Sequence, residues 1–366
     1  MSTTSTSGAA IPGPRYLVRF APTADDAARV SALASIGAIV DVEIPELGVT
    51  RIIVPADAGD VFGDEEAVAA ALAAHPAVAR AERDLSVRLQ LEPDDPYYLT
   101  DPYSGLGQWG MRRIEAARAW DFASGAPSVV VAVLDTGVDP AHPDLAGALV
   151  PGNTFVSLPS SECASGATRD DSSHGTHVAG IIGAVRGNAV GVAGIASGVK
   201  LMPVKVLDCT GVGSMSDVSR GIVWAADNGA RIVNISLGSP AEVGTLRDAV
   251  RYAVARNVLV VASSGNCGLG ASARCGSADQ VEYPAGYPDV LGVAAVNEND
   301  ARAPFSSANE SVDVSAPGSR IVSTTPTYPT YLSQRTTNPA TLSYAQFSGT
   351  SQAAPHASGV AALIWS

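Results

Sequence analysis

The segment that most narrows what this chain can fold into is SVVVAVL, residues 128–134, a nearly unbroken apolar run that stops at Asp135. A strand with one face in the core alternates apolar and polar residues. A run without alternation suits a strand covered on both faces, as in parallel sheets flanked by helices. Further β-rich runs follow at 200–206, 231–235, 259–262 and 290–295, and helical windows lie between them at 174–186, 216–228 and 240–255. Strand and helix in alternation predict an α/β unit with a central, mostly parallel sheet and helices on both sides. In such sheets the ligand site gathers at the carboxyl ends of the strands.

The first ninety residues read differently. YLVRF at 16–20 alternates like a strand, and residues 23–36 are helical, with Ala28, Val30, Leu33 and Ala34 as apolar positions. Short β-branched runs follow at 40–44 and 50–54, then a helical stretch at 65–74 ending near Pro76, and an extended pattern at 77–81. The order βαββαβ predicts a small α+β unit of ferredoxin-like type. LEPDDPYY at 91–98 gathers prolines and acids in the manner of a linker. The expected division is therefore a flexible N-terminus at 1–14, a small unit at 15–90 and a large unit at 91–366.

Composition closes off other classes. With 46% hydrophobic and 16% charged residues the chain has material for a sizeable core. A net charge of −13 argues against wrapping a nucleic-acid backbone and leaves cation binding as the sharper reading of the acidity. No window supplies the eighteen or so apolar residues of a membrane helix. The start, MSTTSTSGAAIPGP, lacks the basic and apolar regions of a secretion signal. The four cysteines, Cys163, Cys209, Cys267 and Cys275, allow three pairings.

Several residues have chemistry to offer. Asp135, at a strand's carboxyl end, could orient a base, bind a metal or cap a turn. His174 and His177, in SSHGTHVAG, share one helical face, but the four-residue spacing and adjacent Glu of the zinc peptidase signature are absent. Ser351, in FSGTSQAAPHASG, stands at a helix start, where it is either an N-cap or a nucleophile served by a histidine and a carboxylate. Asn266, in VVASSGNCG, follows a strand and is either a turn residue or a donor to a developing oxyanion. The chain order Asp, His, Ser differs from the His, Asp, Ser of chymotrypsin-like proteases and the Ser, Asp, His of α/β-hydrolases, and no G-x-S-x-G elbow is present. The glycines at 187, 191 and 194 do not make a phosphate-binding spacing.

Taken together, VLDTGVD at 133–139, HGTHVAG at 174–180, NISLG at 234–238, SSGN at 263–266 and GTSQAAPHASG at 349–359 resemble the subtilisin (subtilase) family of serine endopeptidases. The resemblance covers residues 91–366 and implies the subtilisin-like three-layer α/β fold. It implies Asp135 as orienting acid, His174 as general base, Ser351 as nucleophile and Asn266 as oxyanion donor. Ser236, Leu237 and Gly238 match the segment that pairs with substrate backbone, and Val212 and Gly213 match its partner opposite. The alternative is a catalytically silent scaffold of the same fold, and a metal hydrolase using His174 and His177 is a more distant one. The position after Asn266, often an acid in relatives, is Cys267, so an apolar side-chain preference is expected.

Further implications concern the rest of the chain. HPAVARAERDLSVRLQ at 75–90 resembles the propeptide of these enzymes, a folding chaperone and inhibitor whose extended end, about 86–90, lies in the active site until cleavage. Relatives bind calcium, and the matching ligands are Asp95, Asp144, Asn188 and the carbonyls of Val185, Val190 and Val192. The resemblance favours the disulfides Cys163–Cys209 and Cys267–Cys275. It also implies a secreted monomer acting on protein and peptide substrates. Two departures stand out. Gln352 replaces the family's usual Met, and the chain stops at Ser366, short of the family's last elements, so a truncated catalytic unit is expected.

Overall fold

Burial on both faces of the 128–134 run is what the structure, a computed structural model, displays. It describes residues 13–55, 65–85, 92–163, 168–269, 275–335 and 342–366. The chain divides into two compact units, Met1–Leu89 and Gln90–Ser366. The expected flexible start up to residue 12 and the 86–90 segment lie outside the described residues.

The small unit runs β1 (Arg15–Phe20), α1 (Asp26–Ala34), β2 (Ile39–Ile44), β3 (Val49–Ile53), α2 (Glu65–Ala73) and β4 (Val78–Arg83). Its antiparallel sheet has the order β2-β3-β1-β4, the ferredoxin-like arrangement expected from the βαββαβ pattern. The period of two in YLVRF turns Tyr16 and Val18 inward, where they pack with Ile52, Leu33 and Leu72. Asp25 caps α1, its carboxylate accepting from the Ala28 N–H at 2.8 Å.

The large unit begins with two short helices, α3 (Trp109–Arg113) and α4 (Ala116–Ala119). It continues with β5 (Val130–Asp135), β6 (Asn153–Thr154), α5 (His174–Gly183), β7 (Lys200–Lys205) and α6 (Met215–Asp227). Next come β8 (Ile232–Ile235), α7 (Gly244–Val254), β9 (Leu259–Ser263), β10 (Val290–Val296) and β11 (Val314–Pro317). A two-stranded hairpin, β12 (Ile321–Thr324) with β13 (Tyr344–Phe347), precedes the last helix, α8 (Thr350–Ile364). The seven-stranded sheet is parallel throughout, in the order β11-β10-β9-β8-β5-β7-β6.

Alternate residues of β5 serve two separate cores. Val131 and Val133 pack with Val178, Ile181 and Ile182 of α5 and with Ala353 and Ala354 of α8. Ala132 and Leu134 face Val218 and Ile222 of α6 and Leu246 and Val250 of α7. This is a three-layer α/β/α sandwich, and it explains why β5 could not afford a polar face. The sheet order also locates the site. After β5 the chain adds strands on one side, then crosses to β8 on the other. The carboxyl ends of β5 and β8 therefore flank the point where the winding reverses, the expected place for a ligand.

Candidate active site

Asp135 is the last residue of β5 and is fully buried; His174 is the first residue of α5. The His174 Nδ1 lies 2.8 and 2.9 Å from the two carboxylate oxygens of Asp135. About a quarter of the His174 side chain, 24%, stays exposed. Burial alone would lower its pKa, but the charge and hydrogen bond of Asp135, with the field of Asp170 behind it, outweigh burial and hold it above the ordinary histidine value. A histidine bound at Nδ1 and open at Nε2 is arranged to take a proton.

A second carboxylate, which the sequence reading did not single out, fixes the start of α5. Ser173 occupies the N-cap with φ of 113° and makes no side-chain cap. Asp170 substitutes for it. Its Oδ1 accepts from the backbone N–H of Ser172 and Ser173, each at 2.9 Å, and from Thr136 Oγ1 at 2.9 Å. Its Oδ2 accepts from the Thr176 N–H at 2.9 Å and Thr176 Oγ1 at 2.7 Å. Thr136 Oγ1 in turn accepts from the Gly175 N–H at 2.9 Å, which ties the end of β5 to the helix that carries His174. Position 175 must be glycine, because a Cβ there would come within 2.1 Å of the Gly137 carbonyl oxygen.

Ser351 is the second residue of α8, so its own N–H is one of the amides a helix start leaves without an intrahelical partner. Pro355, four residues on, has no N–H to give the Ser351 carbonyl. The Ser236 hydroxyl fills that gap, donating to Ser351 O at 2.9 Å. Ser236 is held by Asn234 Nδ2 at 3.0 Å, and Asn234 Oδ1 accepts from Ser358 at 2.8 Å, a buried chain linking β8 to α8. The Ser351 hydroxyl donates to Ser236 O at 3.1 Å. Asn266 follows β9 closely, and its Oδ1 accepts from the Thr350 N–H at 2.9 Å and the Thr350 hydroxyl at 3.0 Å. Both donors on one oxygen fix the amide and leave its NH₂ as the end available to a ligand.

One cavity of about 570 Å³ gathers these groups: His174, Ser351, Asn266 and the Ser236-Leu237-Gly238 segment all line it. From the segment opposite, Thr210 and Gly211 line it, and Val212 and Gly213 do not. The Val212 N–H donates to Asp208 Oδ1 at 3.1 Å, and its carbonyl accepts from the Asp208 N–H at 2.9 Å. Asp208 thus ties back the main chain of Val212, next to Gly211 on the cavity wall.

His177 is not a partner of His174. Its Nε2 lies 3.0 Å from Ile321 O, its ring stacks on Phe347 at 4.4 Å, and burial pushes its pKa down to about 3. The two rings address different elements, so they do not form a metal pair.

The acids picked out for a cation meet at the 185–192 loop. Asp95 Oδ2 accepts from the Gly187 N–H at 2.9 Å, and Asp144 accepts from Asn188 Nδ2 at 3.0 Å and the Val192 N–H at 2.8 Å. Asp95 Oδ1 is buried without a hydrogen-bond partner. Burial, with the charge of Asp95 adding to it, pushes the Asp144 carboxyl up to about 6. No hydrogen bond to the carbonyls of Val185, Val190 or Val192 is present among the described residues. No three His, Cys, Asp or Glu side chains converge on one point among the described residues. A cation here would have to draw on those carbonyls and on Asn188, which suits a hard ion. The cysteines pair as Cys163–Cys209 and Cys267–Cys275, with Cα separations of 5.4 and 5.6 Å. Among the described residues no helix is long and apolar enough to cross a membrane.

A buried acid on a histidine, a serine at a helix start and an amide donor in one cleft of a parallel α/β sandwich define a serine hydrolase. The profile of the subtilase family, Peptidase S8, matches residues 126–366, and the chain belongs to that family. It is 40% identical over 268 residues to Thermitase of Thermoactinomyces vulgaris, covering 73% of this chain and 85% of that one. It is 39% identical over 302 residues to the Thermophilic serine proteinase of Bacillus sp. strain AK1, covering 82% and 67%. It is likewise 39% identical over 298 residues to Subtilisin E of Bacillus subtilis strain 168, covering 81% and 70%. The protein is a subtilisin-like serine endopeptidase.

Proposed function

We propose that peptide hydrolysis proceeds through an acyl-enzyme on Ser351, with His174 as general base and Asp135 as its orienting acid. His174 takes the Ser351 proton as the hydroxyl attacks the scissile carbonyl, then returns it to the leaving amine. Asp135 holds the Nδ1 tautomer and stabilises the imidazolium that forms. Asn266 Nδ2 and the Ser351 N–H receive the oxyanion; a donor of this kind contributes roughly 100- to 1,000-fold, a size established on subtilisin, a member of this family. Substrate backbone pairs with Ser236-Leu237-Gly238 on one side and with the 210–213 turn on the other. The Asp135–His174 contact at 2.8 Å, opening into the cavity that holds Ser351, carries this reading. It leaves a catalytically silent scaffold without support.

The unit at 15–90 is read as the propeptide, chaperone and intramolecular inhibitor of the protease at 91–366. Its ferredoxin-like sheet, its position before the protease and relatives whose match extends over more residues than Gln90–Ser366 holds support this. A calcium ion bound by Asp95, Asp144, Asn188 and the carbonyls of Val185, Val190 and Val192 would clamp the N-terminal segment of the protease onto its loop; the unpartnered Asp95 Oδ1 supports that fit. The two disulfides suit an oxidising, extracellular setting. The mature enzyme is read as a monomer.

The test is the intact mass of the wild type and of Ser351→Ala expressed side by side. Loss of about 90 N-terminal residues from the wild type alone is expected for self-maturation. An intact chain in both contradicts it.

A further inference from the structure

Among the described residues that line the active-site cavity there is one carboxylate, Glu282, and no lysine or arginine. It stands between two walls. A Cβ on Gly238 would approach Glu282 Oε2 to 2.7 Å, and a Cβ on Gly265 would approach the same oxygen to 3.0 Å. Gly238 ends the segment read as pairing with substrate, and Gly265 directly precedes Asn266. In the position it takes here, the carboxylate lies close against both walls, in space that a larger residue at 238 or 265 would contest.

Its neighbours among the described residues are neutral. Cys267 Sγ, in the disulfide to Cys275, lies 3.6 Å from Oε1, and the Gln280 amide hydrogen-bonds the carboxyl. No salt bridge to Glu282 is present among the described residues, whereas Asp279 nearby in the chain is paired with Arg302. Burial accordingly pushes the Glu282 carboxyl up, as happens where no cation compensates the charge. A half-buried carboxylate with no counter-charge among the described residues, lining the cavity that also holds Ser351, leaves a place for a charge that a substrate can supply.

With the carbonyl under attack read as sitting between Ser351 Oγ and the Asn266 NH₂, the 236–238 and 265–267 walls of the same cavity flank the space open to the side chain of the residue that owns it. We propose that Glu282 determines specificity by receiving the cationic side chain, Lys or Arg, of the residue that contributes the scissile carbonyl. The expectation of an apolar preference came from Cys267, the position after Asn266. The acid of this cavity comes instead from a segment fifteen residues further along. An apolar side chain entering here would strip water from a carboxylate and give it nothing in return; an acidic one would meet like charge. The inference rests on the reading of Ser351, His174 and Asn266 given above.

The experiment is a series of fluorogenic tetrapeptides that differ only at the residue donating the scissile carbonyl: Lys, Arg, Gln, Leu, Phe and Glu. Each is assayed with wild type and with Glu282→Gln, and active enzyme is counted by fluorophosphonate labelling. In the wild type, kcat/KM for Lys and Arg is expected to exceed that for Leu and Phe at least about tenfold, with Glu the poorest. In Glu282→Gln the Lys-to-Leu ratio is expected to fall by about 10- to 100-fold, the range of a close charge pair in a desolvated site. Cleavage with Leu or Phe preferred, or a ratio unmoved by Glu282→Gln, overturns the assignment while leaving the hydrolytic mechanism standing. No cleavage of any peptide and no labelling of Ser351 overturns the mechanism, and the assignment with it.

Discussion

Replacing Asp170 by alanine tests how His174, the proposed general base, is held. The carboxylate is completely buried and accepts five hydrogen bonds, three from backbone amides and two from the hydroxyls of Thr136 and Thr176. Both hydroxyls can turn to other acceptors, but the amides of Ser172, Ser173 and Thr176 are fixed by the chain. A buried amide left unpaired costs about 1–3 kcal/mol, and the lost anion at the helix start about 0.3–1 kcal/mol more. Against this, a buried charge and its desolvation are removed and water can enter the space. The net is expected to be about 4 kcal/mol, a shift of roughly 10 °C in Tm for a unit of this size. The measurement is thermal or denaturant unfolding in the Ser351→Ala background, where self-cleavage cannot intrude. Asp170→Asn, which keeps one acceptor oxygen, should recover more than half of the loss. With Ser351 restored, kcat of Asp170→Asn should fall at least tenfold with KM little changed, because α5 begins at His174. A loss below about 1 kcal/mol for the alanine variant, or an unchanged kcat for the asparagine, would refute the reasoning.

Four other outcomes are expected. His174 titrates above the ordinary histidine value and is a base only when neutral, so kcat/KM should fall as pH drops through a midpoint above about 6.5. Asp135→Asn removes the charge that raises it: the acid limb moves to lower pH and kcat falls on the order of 10⁴-fold, as for such a removal in subtilisin, whereas an unmoved limb counts against the pairing. Gln352 is buried next to Ser351 and has no sulfur to oxidise, so the wild type should keep activity in peroxide that inactivates Gln352→Met; equal loss in both contradicts this. Calcium at about a hundred times its Kd should add about 2.7 kcal/mol of stability, lost on chelation and absent in Asp144→Ala. A calcium increment that persists in Asp144→Ala would place the ion elsewhere.

What could be read from the residues alone was whatever short segments encode. The apolar run of β5, the alternation of strands and helices and the βαββαβ order of the small unit follow from local periodicity, and the structure repeats them within a few residues. The family words around Asp135, His174, Asn266 and Ser351 were legible for the same reason. Features built by distant partners were not. β11, β12 and β13 are four residues long and carry no period of their own; pairing and burial make them strands. Asp170 looks like any loop acid until five donors from Thr136 and the start of α5 close around it. The link from Pro355 to Ser236 needs two helical turns and a strand end brought together. Glu282 sits in an unremarkable VEYP stretch, and its environment comes from glycines 17 and 44 residues away in the chain.

The central claim is that Ser351 is the nucleophile and His174 its base, and covalent labelling tests it most directly. Wild-type enzyme is treated with a fluorophosphonate, digested and mapped by mass spectrometry. The account predicts one adduct, on Ser351, absent in Ser351→Ala and slowed by at least about 10³-fold in His174→Ala. An adduct on another serine, or labelling of Ser351 at an unchanged rate without His174, would contradict it.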